Sequence, residues 1–283
     1  MKTKLIDHRY GKSRVRVMKI LRDGATHSIK ELDVAAALSG DFDSSYTLPE
    51  GDNSKVVATD TMKNTVNVLA KRHLGAETER FALTLARHFV EKYPQVERAE
   101  VTTRERIWER LTILGAAHPH SFINAENARP FTCVTATAQG EEIESGIEDL
   151  LILKSTESGF ERYPRCEFTT LPETRERIFA TALAATWKWS AEPADYVAAN
   201  SRIVTALLQP FALNYSPSVQ TTLFQMGAAA LEACSEISQI HLAAPNKHCL
   251  LIDLRPFGEA NENEVFMPTD EPHGQIEATI ARA

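Results

Sequence analysis

The sequence predicts an α+β protein of antiparallel sheets with helices on one face, and three observations carry that prediction. Alternating apolar runs come in consecutive pairs, helix-period runs come in pairs between them, and both halves of the chain show the same order. The strict strand-helix alternation of a parallel sheet does not occur. A length of 283 residues suits two domains, expected at 1–139 and 140–283, each reading strand-strand-helix-helix-strand-strand. No residue-level repeat accompanies the duplication.

Arg14-Val-Arg-Val17 alternates strictly and opens a long strand, which Asp23-Gly24 turns into a second strand over about 29–38. Lys55-Val-Val-Ala58 reads as a short extended run. Thr59 and Asp60 then cap a helix with Met62, Val66, Leu69 and His73 on one stripe. A second helix starts at about Thr78, presents Phe81, Leu85 and Phe89 on one face, and ends at Pro94. Strands follow at 99–108, 111–115 and 131–137. In the second half, strands fit 147–154 and 178–189, helices 194–211 and 219–237, and closing strands 238–243 and 248–254.

Composition removes several classes. The net charge is −7, which does not favour non-specific binding to nucleic acid. Divided at residue 139, the first part carries +4 and the second −11. No apolar run is long enough to span a membrane. The charged start of the chain lacks the apolar core of a signal peptide, and the end, Ile280-Ala-Arg-Ala283, is not a peroxisomal tripeptide, so a cytoplasmic location is expected. Cys133, Cys166, Cys234 and Cys249 show no zinc-ligand spacing and read as reduced thiols. Dinucleotide, P-loop, zinc-protease and hydrolase motifs do not occur. His118-Pro-His120 offers two imidazoles, but no neighbouring Cys, Asp or Glu completes a metal site.

Six segments carry a specific resemblance: Tyr10-Gly-Lys-Ser-Arg-Val-Arg-Val17, Val57-Ala-Thr-Asp-Thr-Met-Lys-Asn-Thr65, His118-Pro-His-Ser-Phe122, Leu153-Lys-Ser-Thr156, Thr169-Thr-Leu171 and Pro245-Asn-Lys-His248. In this order and spacing they resemble the cofactor-independent urate oxidases, over almost the whole chain. The resemblance implies the tunnelling fold, in which two tandem antiparallel ββααββ units per subunit pair into barrels. It further implies a homotetramer with active sites shared between subunits, and oxidation of urate by O2 without metal or organic cofactor.

Carried onto this sequence, the resemblance implies Lys12 and Thr59 as a catalytic pair with His248 as their proton-relay partner. Phe160, Arg177, Val219 and Gln220 would hold the purine, Asp60 would offer its backbone amide, Asn246 would face the oxygen or water, and Ile276 would line the pocket. The segment Glu161-Arg-Tyr-Pro-Arg-Cys-Glu-Phe168 departs from the family pattern, because Glu161 stands where another aromatic usually follows Phe160. Taken singly, each residue has an ordinary reading: Lys12 and Arg177 as solvated charges, Thr59 and Asp60 as caps, Val219 and Ile276 as core. The resemblance selects all of them together.

These residue types suit the substrate. An Arg guanidinium presents parallel donors to one edge of an anionic purine, and Gln supplies a donor and an acceptor to another. Phenylalanine offers a stacking face. The expected helix starts at Thr59-Asp60 and Val219-Gln220 leave backbone N–H groups free for an anion. Two rivals remain open: another enzyme of the tunnelling fold acting on pterins or purines, and a non-catalytic purine-binding protein.

Overall fold

A computed structural model describes residues 3–125 and 127–283, and the chain divides into two units. The first comprises the chain up to Gly146 together with Pro193–Val197; the second comprises Ile147–Glu192 and Ala198–Ala283.

In the first unit, β1 (Tyr10–Asp23) and β2 (Thr26–Gly40) form an antiparallel hairpin. Gly24, at φ +56°, supplies the left-handed turn conformation that the Asp-Gly pair predicts. A short α1 (Asp43–Thr47) precedes α2 (Thr59–His73) and α3 (Thr78–Lys92). The chain returns through β3 (Val96–Ile113), β4 (Ala116–Ala125) and β5 (Arg129–Thr137), with strand order β1-β2-β3-β5 and β4 off this path against β3. Leu32, Val34, Leu38, Val101 and Val134 from the strands pack against Met62, Val66, Phe81, Leu85 and Phe89 from the helices. This is the core that the two periodicities imply.

Expected and observed elements differ here in three places. The strands expected at 99–108 and 111–115 are one strand, β3, continuous through Glu109-Arg110 because β2 and β4 supply successive partners along it. Segment 116–125 forms β4, and His118-Pro-His120 falls at a register shift of the β3–β4 ladder, the kind of irregularity to which a strand proline is normally confined. The run at 55–58 is not a strand.

β6 (Gly140–Lys154) carries the chain into the second unit, followed by β7 (Phe179–Trp189), α4 (Tyr196–Leu213), α5 (Val219–Ala233), β8 (Ile237–Leu251) and β9 (Phe266–Ala281). β7, β8 and β9 pair antiparallel in that order. Their inner faces, with Leu183, Trp187, Ile240, Leu242 and Ile280, are buried, as are Ile203, Leu207, Leu223 and Met226 of the helices. The two closing strands expected at 238–243 and 248–254 are one strand, β8, and the final strand is β9 instead. Pro245, Pro268 and Pro272 disguised both, since proline is normally excluded from strand interiors. A register shift between Asn246 and His248 accommodates this irregularity. Each unit thus contains the ββααββ order, with α1 and β4 added in the first.

Candidate active site

Seven of the residues singled out in the sequence line one cavity of the second unit, about 420 Å³ in volume: Phe160, Arg177, Val219, Gln220, Asn246, His248 and Ile276. Three kinds of local structure bring them there. Val219 and Gln220 form the first turn of α5, whose N-cap Ser218 accepts a hydrogen bond from the Thr221 amide at 3.1 Å. The first intrahelical bond runs from Thr222 N–H to the Ser218 carbonyl, so the Val219 and Gln220 amides have no partner within the helix. Val219 is buried, whereas Gln220 is exposed. Asn246 and His248 flank the register shift of β8, opposite Gly274 and Thr269 of β9, and Ile276 lies opposite Ala244.

Phe160 and Arg177 lie instead on a strap between β6 and β7 that forms neither helix nor ladder strand. Its backbone is pinned at several points. Gly159 N–H donates to the Ser216 carbonyl at 2.8 Å, Phe160 N–H to Thr174 at 2.7 Å, and Arg177 N–H to Ser158 at 2.9 Å. A Cβ on residue 159 would stand 2.2 Å from the Tyr215 hydroxyl and 2.8 Å from the Thr174 carbonyl, so only glycine fits.

Arg177 is half-buried, and that burial pushes its guanidinium down from its ordinary value, with Tyr215 opposing the shift. It stays cationic all the same. Its Nε donates to the Ser158 hydroxyl at 3.4 Å, and its Cζ lies 5.6 Å from the centre of the Phe160 ring. No carboxylate among the described residues pairs with it. A partly desolvated cation with no paired carboxylate among the described residues, in a cavity lined by Phe160, Val219 and Ile276, suits a flat anion. Sequence reasoning missed Ser158 and Gly159; the glycine before Phe160 was the available signal for a close backbone approach.

Lys12, Thr59 and Asp60 belong to the first unit. Lys12 is half-buried. Its orientation comes from a β-bulge. Lys12 pairs with Ala36 and Val15 with Val34, so β1 advances three residues where β2 advances two. Regular alternation would put Lys12 and Val15 on opposite faces. The extra residue instead sets Lys12 opposite buried Ala36, on the helix-bearing face that Val15, Val34 and Leu38 occupy. Arg14, at φ +57°, absorbs the distortion.

Thr59 and Asp60 open α2, but neither caps it as the sequence implied. The N-cap is Ala58, with no side-chain bond, and both residues lie in the exposed first turn. With Ala58 at φ −55° and ψ 132°, the helix begins one residue early, and Met62 N–H donates to the Ala58 carbonyl at 3.1 Å. The Thr59 and Asp60 amides therefore precede the first intrahelical bond. The Asp60 carboxylate accepts from Lys63 and from Asn64, the latter at 3.0 Å. It is held below the ordinary carboxylate range chiefly by Lys63, with Lys12 adding to the effect.

Among the described residues no group of three or more His, Cys, Asp or Glu side chains is placed to hold a metal ion. The His118 and His120 rings meet edge to face at 4.6 Å, with His27 6.1 Å from His120. Among the described residues no helix is long and apolar enough to cross a membrane.

The family model for uricase matches residues 8–135 and 143–277. The uricase of Arthrobacter globiformis is 40% identical over 281 residues, covering 99% of this chain and 91% of that protein. The uricase of Dictyostelium discoideum is 39% identical over 282 residues, covering 99% and 98%. The crystal structure of the Arthrobacter enzyme superposes with a TM-score of 0.94 at 39% identity, over 100% of this chain and 96% of that one.

Proposed function

This chain belongs to the uricase family, and on that premise we propose that it oxidises urate with dioxygen and water to 5-hydroxyisourate and hydrogen peroxide, with no resident metal or organic cofactor. The observation that carries this reading is the half-buried Arg177 guanidinium, without a carboxylate partner, beside Gln220 and the Phe160 ring in one cavity. Arg177 would grip one edge of the urate anion, Gln220 would exchange hydrogen bonds with another, and Phe160 would stack on the ring. The free amides of the first turn of α5 add positive potential. Asn246 would hold dioxygen or water above the purine plane, and Ile276 and Val219 would exclude solvent.

The electrons come from the substrate. Dioxygen is a triplet and reacts slowly with closed-shell molecules, but an electron-rich urate dianion can pass electrons to it one at a time. Two electrons leave the purine, dioxygen becomes hydrogen peroxide, and water supplies the hydroxyl that ends on the ring. The protein's part is to orient the purine and move protons. Lys12 would take the proton, Thr59 would bridge it to water, and His248 would complete the relay.

Lys12, Thr59 and Asp60 sit in the first unit, and the purine-holding residues and His248 in the second. We propose that one subunit supplies the first group and its neighbour the second, in a homotetramer. Two-fold symmetry would then give each subunit pair two equivalent sites. Four free cysteines accord with a reducing, cytoplasmic setting.

One assay tests the reaction. Protein dialysed against chelator should remove urate absorbance in air, release one peroxide per urate and stop under strict anaerobiosis. Activity lost on chelation and restored by one added metal would overturn the cofactor-free reading.

A further inference from the structure

We infer that Tyr163 is a positioning residue for urate: it backs the Phe160 ring and sets the plane on which the purine stacks. The inference rests on the urate reading of the cavity and deepens it.

Phe160 lines the cavity; Tyr163 does not. The two rings stack nearly parallel, with centroids 4.8 Å apart and planes 11° from each other. Tyr163 therefore covers the face of Phe160 turned away from the cavity and leaves the other face to the ligand. Such support matters here because the strap lacks the ladder or helix that elsewhere holds a side chain. Hydrogen bonds to Thr174 fix the Phe160 backbone, but they leave the tilt of its ring undetermined.

Tyr163 is itself held at its far end. Its hydroxyl donates to the Leu171 carbonyl, and Leu171 lines the cavity. Arg165 places its Cζ 5.7 Å from the Tyr163 ring centre and donates to the same carbonyl at 3.4 Å. Tyr163 thus ties the stacking ring to the opposite limb of the strap. The neighbouring position, Glu161, is engaged elsewhere: its carboxylate accepts from Arg175 Nε at 2.9 and 3.0 Å. The aromatic partner of Phe160 is thus the residue three places along the chain. With Arg177 Cζ 5.6 Å from the Phe160 ring centre, any tilt of that ring would also change how the purine meets the guanidinium.

The test compares Tyr163→Phe with Tyr163→Leu in the full-length protein, reading urate affinity by anaerobic titration and turnover in air. Tyr163→Leu removes the stack and should weaken anaerobic urate binding on the order of tenfold, the upper range for an aromatic pair. Its kcat at saturating urate should stay within about twofold of wild type. Tyr163→Phe keeps the stack and should hold affinity within about twofold. If the leucine variant is not recovered folded, Tyr163→Gln replaces it at this solvent-reached loop position. Unchanged affinity in the ring-less variant, equal losses in both variants, or a fall in kcat at unchanged affinity would each overturn the assignment. Wild type that binds no urate anaerobically would instead overturn the urate reading itself, so the two failures are distinguishable.

Discussion

The Val57 amide donates a hydrogen bond of 2.8 Å to the Tyr10 hydroxyl, tying β1 to the segment that leads into α2. Each partner stands two residues before a proposed catalytic group, Lys12 on one side and Thr59 on the other. Burial pushes the Tyr10 phenol above its ordinary value, and the Val57 bond opposes that shift. The bond thus serves as a brace between the two halves of the proposed proton-transfer pair. Tyr10→Phe should cost about 1 kcal/mol of stability in denaturant melts. It should also lower kcat while leaving anaerobic urate affinity unchanged.

Binding and chemistry should separate between two other variants. Lys12→Met removes a proton-transfer group and should lower kcat by roughly 10²–10⁴ with urate affinity retained. Arg177→Ala removes a charge-assisted contact to an anion and should weaken urate binding by about 2–4 kcal/mol. The same kinetic defect in both variants would refute this division of roles.

Mixing those two chains tests the shared site. A working site needs its Lys12 from the Arg177→Ala chain and its Arg177 from the Lys12→Met chain. Random assembly satisfies that at roughly a quarter of sites, so co-expressed chains should regain about that share of wild-type turnover. A chain carrying both substitutions should rescue neither parent. Mixed oligomers, verified by native mass spectrometry, that show only the summed parental activities would place the whole site within one subunit.

Gly159→Ala should displace the strap, because its Cβ would meet the Tyr215 hydroxyl at 2.2 Å. Urate affinity should fall with it. Adding Tyr215→Phe removes the nearer clash but leaves the 2.8 Å approach to the Thr174 carbonyl, so the double variant should recover only in part. A double-mutant cycle on anaerobic urate binding measures the coupling, and purely additive losses would contradict it.

Acid stability offers a fifth test. Burial alone would raise the Glu31 carboxyl, but hydrogen bonds from Arg16 at 2.6 Å and from Trp108 at 2.8 Å outweigh it and hold the group below its usual range. A carboxylate depressed by folding contributes stability above its unfolded pKa and loses it as pH falls through the folded pKa. Glu31→Gln should therefore be less stable than wild type at neutral pH, and the gap should narrow as the medium is acidified below the ordinary carboxylate range. Denaturant melts across that range would show a constant gap if the charge plays no part.

The sequence by itself determined the family and most of the elements. Six ordered segments identified the first, and local periodicity and chain breakers sufficed for the second. The stripe of Met62, Val66 and Leu69 and that of Phe81, Leu85 and Phe89 are properties of a few consecutive residues, readable without the rest of the chain. It also marked the residues that converge on the cavity, although nothing local says that Phe160 and Gln220 should meet. Long-range pairing decided the remainder. β9 exists because β8 supplies a ladder for a proline-bearing, polar run, and β3 is continuous because β2 and β4 pair with it in succession. The strap takes its shape from the carbonyls of Ser216 and Thr174, far from their donors in the chain or across a turn of irregular backbone. Lys12 is the sharpest case. The alternation of Arg14-Val-Arg-Val17 is visible in the sequence, but the face on which Lys12 lies depends on one extra residue of register against β2. Side-chain direction in a strand alternates with period two, so a single-residue bulge set by the partner strand reverses it, and only the folded pairing fixes where that bulge falls.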